Sequence, residues 1–334
     1  MSSSVQRALV IGSGSIARRH IANLRALLSA VEVACVSASG RELAADETAA
    51  TVRFGSLTEA LAWGPELAVV ASPAPWHLEH AAALAEAGVP VLIEKPLSDA
   101  LVRFDAGVFE HHRARIEVAY NLRYLSSSQA MKGLVEGRRI GRLHAVQIDI
   151  GQYLPDWRPQ SDYRRNVSAN KGLGGGVLLE LSHEFDYLRW LLGDFDKAYC
   201  IMRNSGQLEI DVEDCVDIML SRADGLVAQL HMDFLQRKAT RKCKLIGEHG
   251  SLLWNLNSNT IVLETAAGDE TLFSEPDLDR NAMYLAQLDG FIALVKGRST
   301  PRITLDDGLA VLAMIEAMRQ SAATGLPQPI TSLT

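Results

Sequence analysis

The pattern of apolar and polar positions changes once along the chain, near residue 123. Before that point, short continuous apolar runs alternate with stretches in which apolar residues recur every three or four positions. Continuous runs are typical of parallel strands buried on both faces, and the wider spacing is typical of helices. The pattern predicts strands near 7–11, 31–36, 67–71, 89–93 and 114–120, with helices near 16–28, 76–87 and 101–112.

After residue 123, runs such as "LHAVQIDIGQY" and "DCVDIMLSR" alternate between apolar and polar residues and are joined by short turns. Such alternation predicts a mostly antiparallel sheet with one face covered, and its other face would meet solvent or a second subunit. Two helices are expected at 278–296 and 306–323. We therefore predict an α/β domain with a parallel sheet over 1–122 and an α+β domain with an open, mostly antiparallel sheet over 123–334.

Composition narrows the class of protein. A chain of 334 residues fits two domains, and 48% apolar with 22% charged residues is a globular balance. A formal net charge of −7 argues against nucleic acid as a partner. No apolar run is long enough for a membrane span and no secretion signal is evident, so a cytoplasmic protein is expected. The four cysteines show no metal-ligand spacing, which predicts reduced core residues and no metal site.

The stretch "VIGSGSIARRH" lies between the first strand and the first helix. In a strand–turn–helix context, Gly12 permits a tight turn, Gly14 allows a pyrophosphate to approach the backbone, and Ala17 allows close helix packing. A helix N-terminus at this turn favours anions. We therefore predict that the α/β domain over 1–122 is a Rossmann dinucleotide-binding domain. The predicted cofactor contacts at this turn are Gly12, Ser13, Gly14, Ser15 and Ile16.

The end of the second strand, "CVSASGREL", has no carboxylate directly after it. The hydroxyls of Ser37 and Ser39 and the guanidinium of Arg41 suit a 2′-phosphate, so NADP is slightly preferred over NAD. The alternative is that these are ordinary turn residues and that Arg41 is solvated.

Two further turns lie at the carboxyl edge of the predicted sheet, where open α/β sheets bind ligands. Ser72, Pro73 and His77 in "SPAPWH" are cofactor-side candidates, with a helix-capping turn and a surface histidine as the alternative. Glu94 and Lys95 follow the strand "VPVLI" and precede a proline. They are either functional groups that face a ligand cleft or an ion pair at the end of a strand.

The second domain contains a glycine run, Gly174 to Gly176, before an apolar helix in which Glu180, His183 and Asp186 recur at spacing three. A lone histidine in such a helix is usually structural, but two acids beside it favour a functional role. The preceding loop is aromatic and cationic, which suits a sugar carrying a phosphate or nucleotide, or else a solvated loop packed on the sheet. Its candidate residues are Tyr153, Trp157, Arg158, Tyr163 and Arg164.

Four stretches together resemble the family of glucose-fructose oxidoreductases, inositol dehydrogenases and rhizopine-catabolism proteins. They are "VIGSGSIARRH", "SPAPWHLEHAAALAEAGVPVLIEKPLS", "GGGVLLELSHEFDYLRWLLG" and "LDDGLAVLAMIEAMRQSAATGLP". The resemblance covers nearly the whole chain in order. It implies that Lys95 lies beside the nicotinamide and assists proton transfer, and that Glu94 contacts the cofactor or holds Lys95. It also implies that the open sheet face joins subunits into a homodimer or homotetramer.

The resemblance further implies that His183 is a general acid/base on the substrate hydroxyl. The family's helix has an aspartate four residues before this histidine, whereas here the carboxylate is Glu180, three residues before it. Glu180 is therefore the candidate that orients His183, although it departs from the family pattern.

The resulting hypothesis is an NAD(P)-dependent oxidoreductase that moves a hydride to or from a carbon bearing oxygen in a sugar, with nucleotide-linked and otherwise derivatised sugars among the candidates. Two alternatives use the same fold: a glycosidase with transient oxidation by NAD, and a non-catalytic NADP-binding regulatory protein. The predicted catalytic residues are Lys95, His183 and Glu180. The predicted substrate contacts are Lys95, Arg123, Tyr153, Trp157, Arg158, Tyr163, Arg164 and His183.

Overall fold

The computed structural model describes residues 5–331, which divide into two compact units. Of these residues, the first unit comprises 5–121 and Asn281–Leu309. The second unit comprises Leu122–Arg280 and 310–331.

The first unit contains a six-stranded parallel sheet within the described part of the chain. Its strands are β1 (Arg7–Ile11), β2 (Glu32–Val36), β3 (Val52–Phe54), β4 (Leu67–Val70), β5 (Val91–Ile93) and β6 (Ile116–Val118). The helices between them are α1 (Ser15–Leu27), α2 (Leu57–Ala62), α3 (His77–Glu86) and α4 (Ala106–Phe109).

The order of these strands is β3-β2-β1-β4-β5-β6, and every neighbouring pair is parallel. All four residues of β4 and all three of β5 are buried, as continuous apolar runs predict. The strand order reverses between β1 and β4, which is the position where open α/β sheets form a ligand crevice beyond the strand ends. The α/β prediction for this part of the chain is confirmed.

Two local features differ from the predicted elements. The pattern did not predict β3 and α2, and the helix predicted over 101–112 is wrong, because only α4 and one 3₁₀ turn, Leu101–Arg103, form there. Phe104 has extended backbone, at φ −80° and ψ 124°, and the side chain of Asp105 accepts a hydrogen bond from Gly107 N–H. Asp105 thus caps a new helix start in the middle of the predicted one.

The second unit contains a nine-stranded sheet, counted over residues 5–331. Its strands are β7 (Leu143–Gly151), β8 (Lys197–Arg203), β9 (Cys215–Ser221), β10 (Val227–Asp233), β11 (Thr240–Gly247), β12 (Gly250–Asn255), β13 (Thr260–Thr265), β14 (Gly268–Ser274) and β15 (Gln328–Pro329). The strand order is β14-β13-β12-β11-β7-β10-β9-β8-β15, in which only β7 and β10 pair in parallel. The mostly antiparallel sheet is confirmed.

One face of this sheet is covered and the other is open. The helices that precede or follow its strands are α5 (Ser126–Glu136), α6 (Val177–Glu180) and α7 (His183–Leu192). In β9, Val216, Ile218 and Leu220 are buried, and α6 packs against β9 and β10. On the opposite face, Tyr199, Ile201 and Met219 are 36%, 45% and 45% exposed.

Two helices complete the chain, α8 (Asn281–Val295) and α9 (Leu305–Thr324), close to the predicted ranges. In the first unit, α8 packs against α1, where Leu288 and Phe291 share a hydrophobic cluster with Ile21 and Leu24. Across residues 5–331, we find no helix with the length and apolarity needed to cross a membrane.

Candidate functional site

The glycine turn after β1 has the geometry that an anion site requires. Gly12 has φ 119°, and a Cβ atom there would lie 2.4 Å from the carbonyl oxygen of Ala71. Gly14 is the N-cap of α1 without a side-chain cap, and a Cβ atom there would meet nothing within 4 Å. The N–H groups at the start of α1 therefore face an open turn, which fits the pyrophosphate of a dinucleotide.

The end of β2 contains an ion pair that the sequence did not indicate. The Ser37 and Ser39 hydroxyl oxygens are 3.2 Å apart. Arg41 donates through Nη1 to Glu47 Oε2 at 2.9 Å and through Nη2 to Ser13 Oγ at 3.4 Å. Hydrogen bonds from Arg41 and Ser13 lower the pKa of the Glu47 carboxyl to about 2. A carboxylate therefore shares the guanidinium that we expect to bind a 2′-phosphate.

The turn after β4 is fixed by a buried histidine. His77 is 1% exposed, so it is not a surface residue. Its ring nitrogens lie 2.6 Å from the carbonyl oxygen of Ser72 and 2.8 Å from that of Pro96. Burial lowers the pKa of His77, and the two carbonyl oxygens act in the opposite direction. The ring joins the turn after β4 to the turn after β5, and the cofactor contacts predicted for Ser72, Pro73 and His77 stay predictions.

The two charges at the end of β5 have a defined arrangement. Glu94 is 7% exposed, and its Oε1 lies 2.6 Å from Nε2 of His20, which is fully buried in α1. Its Oε2 accepts a hydrogen bond from the backbone N–H of Lys95 at 3.1 Å. The Lys95–Pro96 peptide bond is cis. Glu94 thus connects the helix that follows the glycine turn with the backbone of Lys95. No sequence spacing indicated His20 as its partner.

In the second unit, the glycine run leads into two short helices rather than one. Gly176 has φ 104°, and a Cβ atom there would lie 2.5 Å from Glu213 Oε1, which accepts the N–H of Leu178. The α-helical hydrogen bonds of α6 end at Leu181, and a tighter bond from Glu184 N–H to Leu181 O follows. The continuous helix face predicted for Glu180, His183 and Asp186 is therefore wrong, because a 3₁₀-type turn separates the first residue from the other two.

The carboxylates beside His183 bind arginines or a serine of their own unit. Asp186 accepts two hydrogen bonds from Arg123, at 2.9 and 2.6 Å, and both residues are buried. Glu180 Oε2 accepts a hydrogen bond from Ser168 Oγ at 3.0 Å. Arg123 is therefore held bidentately by a helix carboxylate, and its predicted role as a substrate contact gains no support from this pair.

The aromatic and cationic loop is partly packed on its own unit. Trp157 lies edge-on to Phe234 with 5.4 Å between ring centroids, and the Tyr163 hydroxyl donates to Leu208 O at 3.0 Å. Arg164 is paired with Asp162 and Glu209, which raise its pKa. The guanidinium carbon of Arg237 lies over the Tyr153 ring, 3.5 Å from the ring centroid. Arg158 is exposed.

The structure brings together three residues that no sequence spacing suggested. Ligand atoms of Cys215, Asp217 and His231 lie within 4.8 Å of one another on the open face of the second unit's sheet. All four cysteines of the chain are free and buried.

Comparison with known protein families matches both units of the chain. Residues 6–107 match the family described as "Oxidoreductase family, NAD-binding Rossmann fold". Residues 128–253 match the "GFO/IDH/MocA C-terminal domain".

Similar proteins of assigned activity align along almost the whole chain. A 1,5-anhydro-D-fructose reductase of Ensifer adhaerens is 29% identical over 332 residues, which cover 95% of this chain and 96% of that protein. An inositol 2-dehydrogenase of Saccharopolyspora erythraea is 28% identical over 340 residues, covering 96% and 94%. Among solved structures, the WlbA dehydrogenase from Bordetella pertussis in complex with NADH and UDP-GlcNAcA has a TM-score of 0.82 at 23% identity, covering 98% and 99%. At this level of sequence identity, the similarity to the WlbA dehydrogenase shows a shared fold and no more.

Proposed function

Since the chain belongs to the GFO/IDH/MocA oxidoreductase family, we propose that it moves a hydride between a nicotinamide cofactor and a carbon bearing oxygen in a sugar or sugar derivative. The names of its relatives, which concern anhydrofructose and inositol, support a polyhydroxylated substrate. The observation that carries the proposal is the buried anchor that His20 and Glu94 provide for the backbone of Lys95.

The glycine turn is the proposed cofactor site of the first unit. The N–H groups at the start of α1 would hold the pyrophosphate, because Gly14 leaves the backbone open at this point and Gly12 allows the tight turn against Ala71. The nicotinamide, when bound, accepts or supplies the hydride. The turns that contain Ser72 and Lys95 lie at the carboxyl edge of the same sheet, where α/β sheets bind ligands.

We assign the proton transfer at the substrate oxygen to Lys95 or His183. An amine that transfers this proton must be held in a fixed position, and the backbone of Lys95 is fixed by a carboxylate that is itself bound to a buried histidine. His183 begins α7, and Glu180 lies three residues before it in α6. We retain Glu180 as the candidate that orients His183, and the loop of 153–165 as the candidate substrate contact.

We also propose a modest preference for NADP(H) over NAD(H). Ser37, Ser39 and Arg41 offer two hydroxyls and a guanidinium at the end of β2, a combination that suits a 2′-phosphate. Glu47 takes two donors of that guanidinium, which limits the preference.

Kinetics of Lys95→Ala test the proposal. Turnover should fall about a hundredfold or more, the scale of a lost acid/base group, while the dissociation constant for the cofactor changes by less than about tenfold. Polyols and nucleotide sugars are screened by absorbance of the reduced nicotinamide, with His183→Ala in parallel and Lys296→Ala as the control. Wild-type turnover of Lys95→Ala on the best substrate would remove Lys95 from the reaction. Sustained turnover without net change in reduced cofactor would instead indicate the transient-oxidation glycosidase.

The chain is proposed to form a homodimer or homotetramer through the open face of the second unit's sheet. Three large apolar side chains, Tyr199, Ile201 and Met219, are exposed together there, and exposed apolar clusters are typical of interaction surfaces.

A cytoplasmic location is also proposed, supported by four free, buried cysteines.

A further inference from the structure

The open face of the second unit's sheet carries a cluster of chemically unlike ligand groups. Cys215 and Asp217 lie two residues apart on β9, so their side chains point to the same face. In the antiparallel register, His231 of β10 is opposite Asp217, and Asp233 is opposite Cys215. Two neighbouring strands and two residue rows therefore place a sulfur, an imidazole and carboxylates side by side.

The ligand atoms of Cys215, Asp217 and His231 are nearly close enough for one metal ion. They lie within 4.8 Å of one another. Bonds from zinc to these atom types are about 2.0–2.3 Å long, so two ligand atoms of one ion lie at most about 4.6 Å apart. Small side-chain rotations would close the difference. One thiolate, one imidazole and one carboxylate form a set that suits zinc and similar borderline cations.

The histidine of the cluster is already oriented as a ligand. Nδ1 of His231 lies 2.7 Å from Asp217 Oδ1, and Nε2 lies 3.0 Å from Asp233 Oδ2. A carboxylate on the second nitrogen is the usual support of a metal-bound histidine. Asp233 is 2% exposed and is held by the N–H groups of Leu235 and Gln236, at 2.6 and 2.8 Å. The ring is therefore fixed by a carboxylate that is itself fixed.

A cation from the protein already lies among these ligands. Nη2 of Arg203 donates to Cys215 Sγ at 3.0 Å and also binds Asp217. In the single chain the Arg203 side chain is 53% exposed, so it can rotate away from Cys215 and Asp217 without leaving a buried charge. A divalent ion would replace its single charge with two, against the carboxylates of Asp217 and Asp233.

We propose that Cys215, Asp217 and His231 bind one zinc-type divalent cation. Binding displaces Arg203; the Cys215 thiol and Nδ1 of His231 each lose a proton to solvent as the metal–sulfur and metal–nitrogen bonds form, and water completes the coordination. The ion ties β9 to β10 through His231 and takes no part in the oxidoreduction proposed above.

Cobalt(II) is the probe that tests the site in the full-length protein after treatment with a chelator. Titration with Co²⁺ should give a thiolate-to-cobalt charge-transfer band that saturates at one ion per chain and disappears on addition of Zn²⁺. Cys215→Ser and His231→Gln should lose the band, and Asp233→Asn should weaken binding about tenfold or more. Asp224→Asn, at an exposed carboxylate paired with Arg222, is the control and should bind as the wild type does.

Arg203→Gln keeps the test decisive if a cluster variant folds poorly. It removes the competing cation and every ligand stays in place, so affinity for Co²⁺ should rise. The proposal is overturned if the wild type gives no thiolate band, if the band survives in folded Cys215→Ser, or if Arg203→Gln binds no more tightly. Activity with a sugar substrate is not needed for any of these readouts, so they can fail separately from the proposed function.

Discussion

Glu94 lies at the end of a buried strand, where an isolated carboxylate would be costly, and its two oxygens each have a partner. His20 reaches it from α1, 74 residues earlier in the chain. The helix behind the glycine turn and the turn that contains Lys95 are thereby joined through one buried contact. We expect His20 to act as a positioning residue for Lys95.

His20→Phe tests this role. The buried carboxylate loses its partner, so the free energy of unfolding should fall by about 1–3 kcal/mol. If His20 positions Lys95, kcat should also fall by roughly tenfold to a hundredfold, with KM and the cofactor dissociation constant nearly unchanged. His111→Asn, at an exposed histidine of the same unit, is the control. A loss of stability at 25 °C with unaltered kcat would show that the contact is structural alone.

Glu47 gives a second prediction at the residue level. Glu47→Gln removes the carboxylate that shares Arg41, so the dissociation constant for NADPH should fall by about three- to tenfold relative to that for NADH. Fluorescence titration with both cofactors measures the ratio. Glu42→Gln, at a neighbouring exposed carboxylate, should leave the ratio unaltered. An unchanged ratio in Glu47→Gln would contradict a role for Arg41 in binding the 2′-phosphate.

Among the elements, α7 is held in place by charges in its first turn. Glu184 accepts two hydrogen bonds from Arg241, at 2.7 and 2.9 Å, and Asp186 accepts two from Arg123. Acidic side chains near a helix N-terminus also interact favourably with its dipole. These two bidentate pairs fix the helix that begins at His183.

The Arg123–Asp186 pair predicts a large effect on stability. Asp186→Ala should lower the free energy of unfolding by about 3–5 kcal/mol, because it leaves a buried guanidinium without its carboxylate. The double variant Arg123→Met/Asp186→Leu should recover much of this loss, since both charges are gone. Chemical denaturation measures both variants. Equal losses in the single and double variants would show that packing, and not the unpaired charge, sets the cost.

For the molecule as a whole, the open sheet face determines the prediction about assembly. Met219→Glu places a charge beside the exposed apolar side chains of Tyr199 and Ile201. A protein that associates through this face should therefore shift toward a monomer, as measured by light scattering. Val102→Glu, at a side chain that is 91% exposed in the first unit, is the matched control. An unchanged mass for Met219→Glu would exclude this face as the interface.

Local sequence patterns determined the elements that depend on neighbouring residues. The run "RALVI", the glycine turn and the three-to-four spacing after it specify β1 and α1, because burial of a strand or helix face repeats with a short period. The predictions of helices failed where a single residue or a tight turn interrupts this periodicity. Asp105 starts a new helix within 101–112, and a tight turn at Leu181 separates Glu180 from His183. Hydrophobic periodicity alone does not report such caps and turns.

The partners of the charged residues were decided only by the tertiary structure. His20 with Glu94, Arg41 with Glu47, Arg123 with Asp186, and Cys215 with Asp217 and His231 depend on strand order, register and helix packing. The sequence pattern predicts which face of a helix or strand a residue occupies, but it does not predict which distant residue lies opposite that face. The sequence therefore determined the fold class, the family and the candidates Lys95 and His183, whereas packing, which brings distant residues together, decided the partners of the surrounding charges.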